Sequence, residues 1–276
     1  MVKQLLIKFC FIFLSLSLGL SSEIDSLSKH SENILSNSTD TTITLSALDI
    51  LNKAVAKLNG INTSFSCALK VQSISEDPID YNFNFYSYWP NPDSLIYYNY
   101  IKFTSPVDYK NIEVWGYYDD EISVKKRMPI NNEITDVKAD SEDVNVVNFF
   151  NFIDLIEELK DGKFSIIDTE LNNKDIYLIK SYSKNSDLKK KSTKFYIDKA
   201  DYSIYKVEWT NKKGSKSKIL LFEEWITIDD ISVSSRIIYE DIKNGHKLTC
   251  KLDKIKINSI NQDIIDLINI GFKIEN

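Results

Sequence analysis

The sequence predicts a mainly β (α+β) chain: one antiparallel, curved sheet of about twelve strands, with a helix before the strands, one among them and one after. Three observations predict it. Apolar and polar residues alternate over about a dozen short stretches. The breaks between stretches are short and carry turn residues, among them Pro90-Asn91-Pro92-Asp93, Asp119-Asp120 and Asn244-Gly245. One segment breaks the alternation, residues 144–159 (VNVVNFFNFIDLIEEL), apolar around most of a helical circumference. A sheet of so many strands curls or closes.

Residues 1–22 read as an export signal. Lys3 and Lys8 give a positive start, residues 9–18 an apolar core, and Gly19-Leu20-Ser21-Ser22 a small-residue cleavage zone. Cys10 precedes most of the apolar stretch, so it is not placed as a lipid-attachment cysteine. Removing the signal takes away two lysines and no acid, and net charge moves from −6 to −8. An acidic chain argues against nucleic acid as a partner. Residues 23–45, rich in Ser, Asn and Thr, read as a mobile leader. With no internal repeat and no Pro- or Gly-rich linker, residues 46–276 read as a single domain.

A helix is expected over 47–58, where Leu48, Leu51, Val55 and Leu58 recur at helical spacing, Ser46 and Asp49 form a capping-box pair, and Gly60 ends it. Strands are expected at 65–74, 81–89, 94–103, 111–118 and 122–128. Residues 129–143 are polar and irregular, and the apolar helix follows. Further strands are expected at 164–168, 175–182, 193–198, 203–210, 217–226, 231–241 and 246–258, with a closing helix at 262–270. Cys67 and Cys250 fall in the first and last long strands. They read equally well as a bridge tying the ends of the fold or as two buried thiols.

Catalytic signatures are missing. The two histidines, His30 and His246, lie in the leader and beside a turn. No Cys/His spacing suits zinc, and there is no phosphate-binding glycine loop or nucleophile elbow. The acidic pairs Asp119-Asp120, Glu157-Glu158, Glu223-Glu224 and Asp229-Asp230 read as solvated turn and edge charges, and the lysine runs at 189–194 and 212–218 as solvated turns that also guard edge strands. No metal or cofactor is expected, and the chain does not read as an enzyme. The positive signal is aromatic. Tyr81, Phe83, Phe85 and Trp89 share one face of a strand, Tyr97 and Phe103 share parity on the next, and Trp115 and Tyr117 lie opposite Val114. Such a face is either a packed core or the lining of an apolar pocket.

Two stretches carry a family resemblance. Phe103-Thr104-Ser105-Pro106-Val107-Asp108-Tyr109-Lys110-Asn111 followed by Val114-Trp115-Gly116-Tyr117 is similar to a proline turn leading into a tryptophan–tyrosine strand. Phe195-Tyr196-Ile197-Asp198-Lys199 followed by Tyr202-Ser203-Ile204-Tyr205-Lys206-Val207-Glu208-Trp209 is similar to a strand–turn–strand with a buried aspartate. With the order of elements, they make the chain resemble the LolA/LolB-type lipoprotein carriers, closest to the outer-membrane lipoprotein-sorting branch. The resemblance implies an eleven-stranded half-barrel with a helical lid over an apolar cavity. It also implies a soluble, monomeric periplasmic carrier that takes acylated lipoproteins or lipid from an inner-membrane exporter to an outer-membrane acceptor.

On that reading Phe65, Leu69, Phe83, Phe85, Trp89, Phe103, Val114 and Trp115 line the cavity, and Val147, Phe149, Phe150, Phe152, Ile153 and Ile156 are the lid residues. Family carriers latch the lid with an early-strand arginine. The arginines here are Arg127 and Arg236, neither on the second strand, which leaves Arg127 as the candidate latch. Three rivals remain: a lipid- or lipoprotein-sensing module signalling to a membrane partner, an envelope hydrolase using an acidic pair, and an adhesin-like domain with a filled core.

Overall fold

The computed structural model describes residues 45–56, 60–74, 77–92, 96–118, 122–137, 163–171, 174–182, 192–211 and 213–272. The expected signal, nearly all of the leader and the expected lid helix at 144–159 lie outside the described residues.

The elements follow the expected order. Helix α1 (Ala47–Ala56) starts at the expected cap: the Asp49 amide donates to Ser46 Oγ at 3.2 Å and the Ser46 amide to Asp49 Oδ2 at 2.9 Å. Strands β1 (Thr63–Gln72), β2 (Ile79–Tyr88), β3 (Tyr97–Ser105), β4 (Glu113–Tyr118) and β5 (Ile122–Arg127) follow as a meander. A short strand β6 (Ile134–Asp136) comes next, in the stretch expected to be irregular. Its three residues pair with Lys125–Arg127, a contact too brief to leave an alternation pattern. The second meander is β7 (Lys163–Leu171), β8 (Lys174–Tyr182), β9 (Ser192–Asp198), β10 (Ile204–Thr210), β11 (Lys216–Ile228), β12 (Ile231–Asp241) and β13 (His246–Ile257), and α2 (Gln262–Gly271) closes the series.

All thirteen strands form one unclosed, curved antiparallel sheet in the order β6-β5-β4-β3-β2-β1-β13-β12-β11-β10-β9-β8-β7. Each meander is built from hairpins, and the two halves join where β1 pairs with β13. Among the described strands, the two edges of the sheet, β6 and β7, are neighbours in sequence.

Residues opposite each other in an antiparallel pair share a face, and side chains alternate faces along each strand. On the inner face, Phe65, Cys67, Leu69 and Val71 of β1 meet Phe83 and Phe85 of β2, Phe103 of β3, and Leu248, Cys250 and Leu252 of β13. Helix α1 lays Ala47, Ile50, Leu51 and Ala54 on this face. Cys67 and Cys250, both buried, form a disulfide with Cα atoms 6.4 Å apart. The outer face of β3–β4 carries a second aromatic cluster of Tyr98, Tyr100 and Trp115, capped by Ile268 of α2. The Trp115 indole donates to the Leu267 carbonyl at 2.9 Å. A Cβ on Gly271 would lie 2.4 Å from Trp115 Cγ, so only glycine lets the helix end approach this closely.

The turn at Asp198 has the buried-aspartate form the resemblance implies. The carboxylate accepts from the Ala200 amide at 2.8 Å and from the Tyr205 hydroxyl at 2.8 Å. On the outer face of β10, Glu208 is almost wholly buried between Lys206 (2.5 Å), Lys216 (2.8 Å) and the Tyr196 hydroxyl (3.1 Å). Burial alone would raise its pKa, but hydrogen bonds from the two lysines overcome that and hold the carboxyl at about 2.

Two outcomes follow. The Cys67→Ala/Cys250→Ala double variant loses about 4 kcal/mol in guanidinium unfolding, because the bridge closes a loop spanning most of the chain; equal stability would show that the bridge constrains nothing. Glu208 has a folded-state pKa below its unfolded value, so its stabilisation is full above about pH 4.5 and fades as pH falls toward 2. Glu208→Gln therefore costs about 2 kcal/mol at neutral pH and flattens the acid limb of a Tm-versus-pH profile.

Candidate functional site

The inner face is not fully packed. A half-open cavity of about 130 Å³ lies between the C-terminal part of α1 and the sheet where β1 and β2 meet β10–β13. Its apolar wall includes Phe65, Phe85, Phe222, Trp225, Ile237 and Ile257. The volume exists because small residues replace rings and long chains there: Ala54, Thr63, Ser87, Ser203, Ser232 and Ser234 all border it. Elsewhere the same face carries Tyr81, Phe103 and Tyr239, each buried.

Backbone irregularities complete the wall. Glu224 on β11 takes φ 52°, and Phe222 and Trp225, three residues apart and of opposite parity, both reach the cavity. Lys254 on β13 takes φ 53° beside a register shift opposite Ser64 and Ser66, and Leu252, Ile255 and Ile257 all border the cavity. A regular strand would have sent one of each set outward.

Among the described residues, no charged side chain borders the cavity. Ser234 Oγ lies 2.7 Å from both the Glu223 and the Arg236 carbonyls, so its single hydroxyl proton is committed to the backbone. Nearby, burial and then the Asp241 carboxylate push the Tyr239 phenol far upward, so it stays neutral. Among the described residues there is no cluster of His, Cys, Asp and Glu suited to a metal ion. The described wall offers apolar area, shape and a few hydroxyls.

Seven of the eight expected cavity residues, Phe65, Leu69, Phe83, Phe85, Trp89, Phe103 and Val114, come together in the inner cluster, and two of them, Phe65 and Phe85, border the open volume. Trp115 does not join them. It follows Val114 directly, so alternation sends it to the outer face under α2. Arg127 is also an outer-face residue. It forms an ion pair with the buried Glu113, which accepts from the Tyr100 hydroxyl at 2.5 Å, and its guanidinium lies 5.3 Å over the Trp115 ring. The Arg127 side chain is therefore committed to α2's side of the sheet, away from the cavity. The lid residues Val147, Phe149, Phe150, Phe152, Ile153 and Ile156 lie outside the described residues.

The sequence reading missed Phe222, Ile237, Leu252, Ile255 and Ile257 as cavity residues. Alternation marks Phe222, Ile237 and Leu252 as inward core, whereas Ile255 and Ile257 are out of phase with Leu252 and reach the wall through the bulge at Lys254.

Comparison with known proteins agrees with this architecture. A domain of an outer-membrane lipoprotein-sorting protein from Vibrio parahaemolyticus superposes with TM-score 0.60 at 12% identity, covering 81% of this chain and 97% of that one. A DUF1329 family protein from Desulfovibrio piger gives 0.56 at 13% identity, covering 77% and 93%. A LolA superfamily protein from Nitrosomonas europaea gives 0.52 at 14% identity, covering 80% and 97%. At these identities the likeness is one of fold, and the fold is LolA-like. Sequence comparison with curated proteins finds no match. A family model described as "-like: Uncharacterized protein" matches residues 99–267, more than half of the chain, and the chain belongs to that family.

Proposed function

We propose that this chain of LolA-like fold is an exported periplasmic carrier, which holds the acyl chain of a lipoprotein or lipid in the inner-face cavity and passes it toward the outer membrane. The observation that carries the reading is the half-open, uncharged, ring-lined cavity between α1 and the sheet. A wall whose described residues carry no charge suits the holding of an apolar chain.

The cavity size sets the energetics. An apolar cavity of roughly 150 Å³ takes a benzene-sized guest, so about 130 Å³ takes the end of an acyl chain and not its whole length. Each methylene buried contributes about 0.8 kcal/mol. A longer chain needs apolar cover beyond the described wall, and the segment between the sheet edges supplies it in this proposal. Val147, Phe149, Phe150, Phe152, Ile153 and Ile156 act as the lid that the acyl chain displaces. Giving up the lid's own burial keeps net affinity moderate, which permits transfer from an inner-membrane exporter to an outer-membrane acceptor.

Displacement of a fluorescent fatty acid tests the reading. Wild-type protein binds the probe, and Ala54→Leu, which fills the cavity from α1, weakens binding at least about tenfold while leaving Tm unchanged or higher. Phe150→Asp weakens binding as well. Equal probe affinity in wild type and Ala54→Leu overturns the cavity as the binding site.

A further inference from the structure

We propose that Ser87, Asn99 and the indole of Trp89 form a polar subsite beside the apolar cavity, built to take the amide group that joins an acyl chain to its cargo. The inference rests on the acyl-carrier reading and deepens it, naming the linkage chemistry the site prefers.

The residues stand in one row across the sheet. Thr63 of β1 pairs with Ser87 of β2, Ser87 with Asn99 of β3, and Asn99 with Gly116 of β4. On one side runs a wholly apolar row, Phe65, Phe85, Ile101 and Val114. On the other side Trp89 stacks on Tyr97 with ring centroids 4.9 Å apart. Thr63 and Ser87 border the cavity itself. A guest lying in the cavity and extending along β2 toward β3 therefore meets the polar row next.

The row is buried and unsatisfied. Ser87 is 6% exposed, Asn99 1% and Trp89 3%. Ser87 Oγ, both polar atoms of the Asn99 side chain and Trp89 Nε1 have no hydrogen-bond partner among the described residues. Buried polar groups are almost always paired, so a cluster of them on one face of a core needs an explanation. Thr63, by contrast, donates to the Ile61 carbonyl. Gly116 adds no side chain opposite Asn99.

The chemistry points to a neutral guest that both accepts and donates. Asn99 presents a donor and an acceptor side by side, and Ser87 and Trp89 add donors. A secondary or primary amide matches this set with its carbonyl and its N–H. An ester satisfies only the donors, and an alkane satisfies nothing. No cation stands in the row to favour a carboxylate.

Displacement of the fluorescent fatty acid by dodecanamide, methyl dodecanoate and tridecane separates these cases. Wild-type protein is expected to bind them in that order, with about tenfold between the amide and the alkane. Asn99→Leu is expected to bring the three probes to equal affinity, and Ser87→Ala to reduce the amide preference part-way. Because Asn99→Leu removes unpaired buried groups, its Tm is expected to be no lower than wild type. Equal affinity of wild type for amide and alkane overturns the subsite and leaves an enclosed water as the partner of the row. An ester bound as tightly as the amide overturns it, and so does a drop in Tm of more than about 5 °C in Asn99→Leu. If none of the three displaces the fatty acid, the cavity reading fails together with the subsite.

Discussion

The pairing of β1 with β13 is the contact on which the rest depends. It joins two meanders that would otherwise be separate sheets, each with an apolar face too open to bury itself. Nine residue pairs run along it, from Thr63 opposite Ile257 to Gln72 opposite Lys247, and the Cys67–Cys250 bridge crosses it from inside the core. It also places β2 of the first meander within reach of β10–β12 of the second. The cavity spans that junction, so it has no existence in either half alone.

Alternation then divides the molecule into two jobs. The inner face collects rings and aliphatic chains around α1 and keeps an unfilled volume. The outer face of β3–β4 is sealed by α2, through the Trp115–Leu267 hydrogen bond and the close approach of Gly271. The outer side also holds buried carboxylates, Glu113 bound by Arg127 and Tyr100, and Glu208 by Lys206, Lys216 and Tyr196. A single residue of parity decides between these roles: Val114 belongs to the inner cluster and its neighbour Trp115 to the outer one.

The cavity is made by what the strands fail to do. Regular strands with large inward residues give a filled core. Here serines stand where rings stand elsewhere on the face, and left-handed residues at Glu224 and Lys254 rotate extra side chains inward at the rim. The result is a wall of rings around a space, with the uncharged polar row of Ser87 and Asn99 beside it.

Much of this was legible in the sequence, because it depends on local pattern. Period-two alternation and turn residues give twelve of the thirteen strands, and the Ser46–Asp49 pair gives the start of α1. Inward aromatics such as Phe65, Phe83, Phe85 and Phe103 declare themselves by parity, and so, taken strictly, does the outward Trp115. What only the tertiary structure decided depends on long-range register. Whether Cys67 faces Cys250, whether Arg127 lies on the cavity side, and where the packed face opens into a space are set by which strands pair and where a bulge shifts them. Those choices are fixed by contacts between residues as distant as Cys67 and Cys250, 183 positions apart, and no local pattern encodes them.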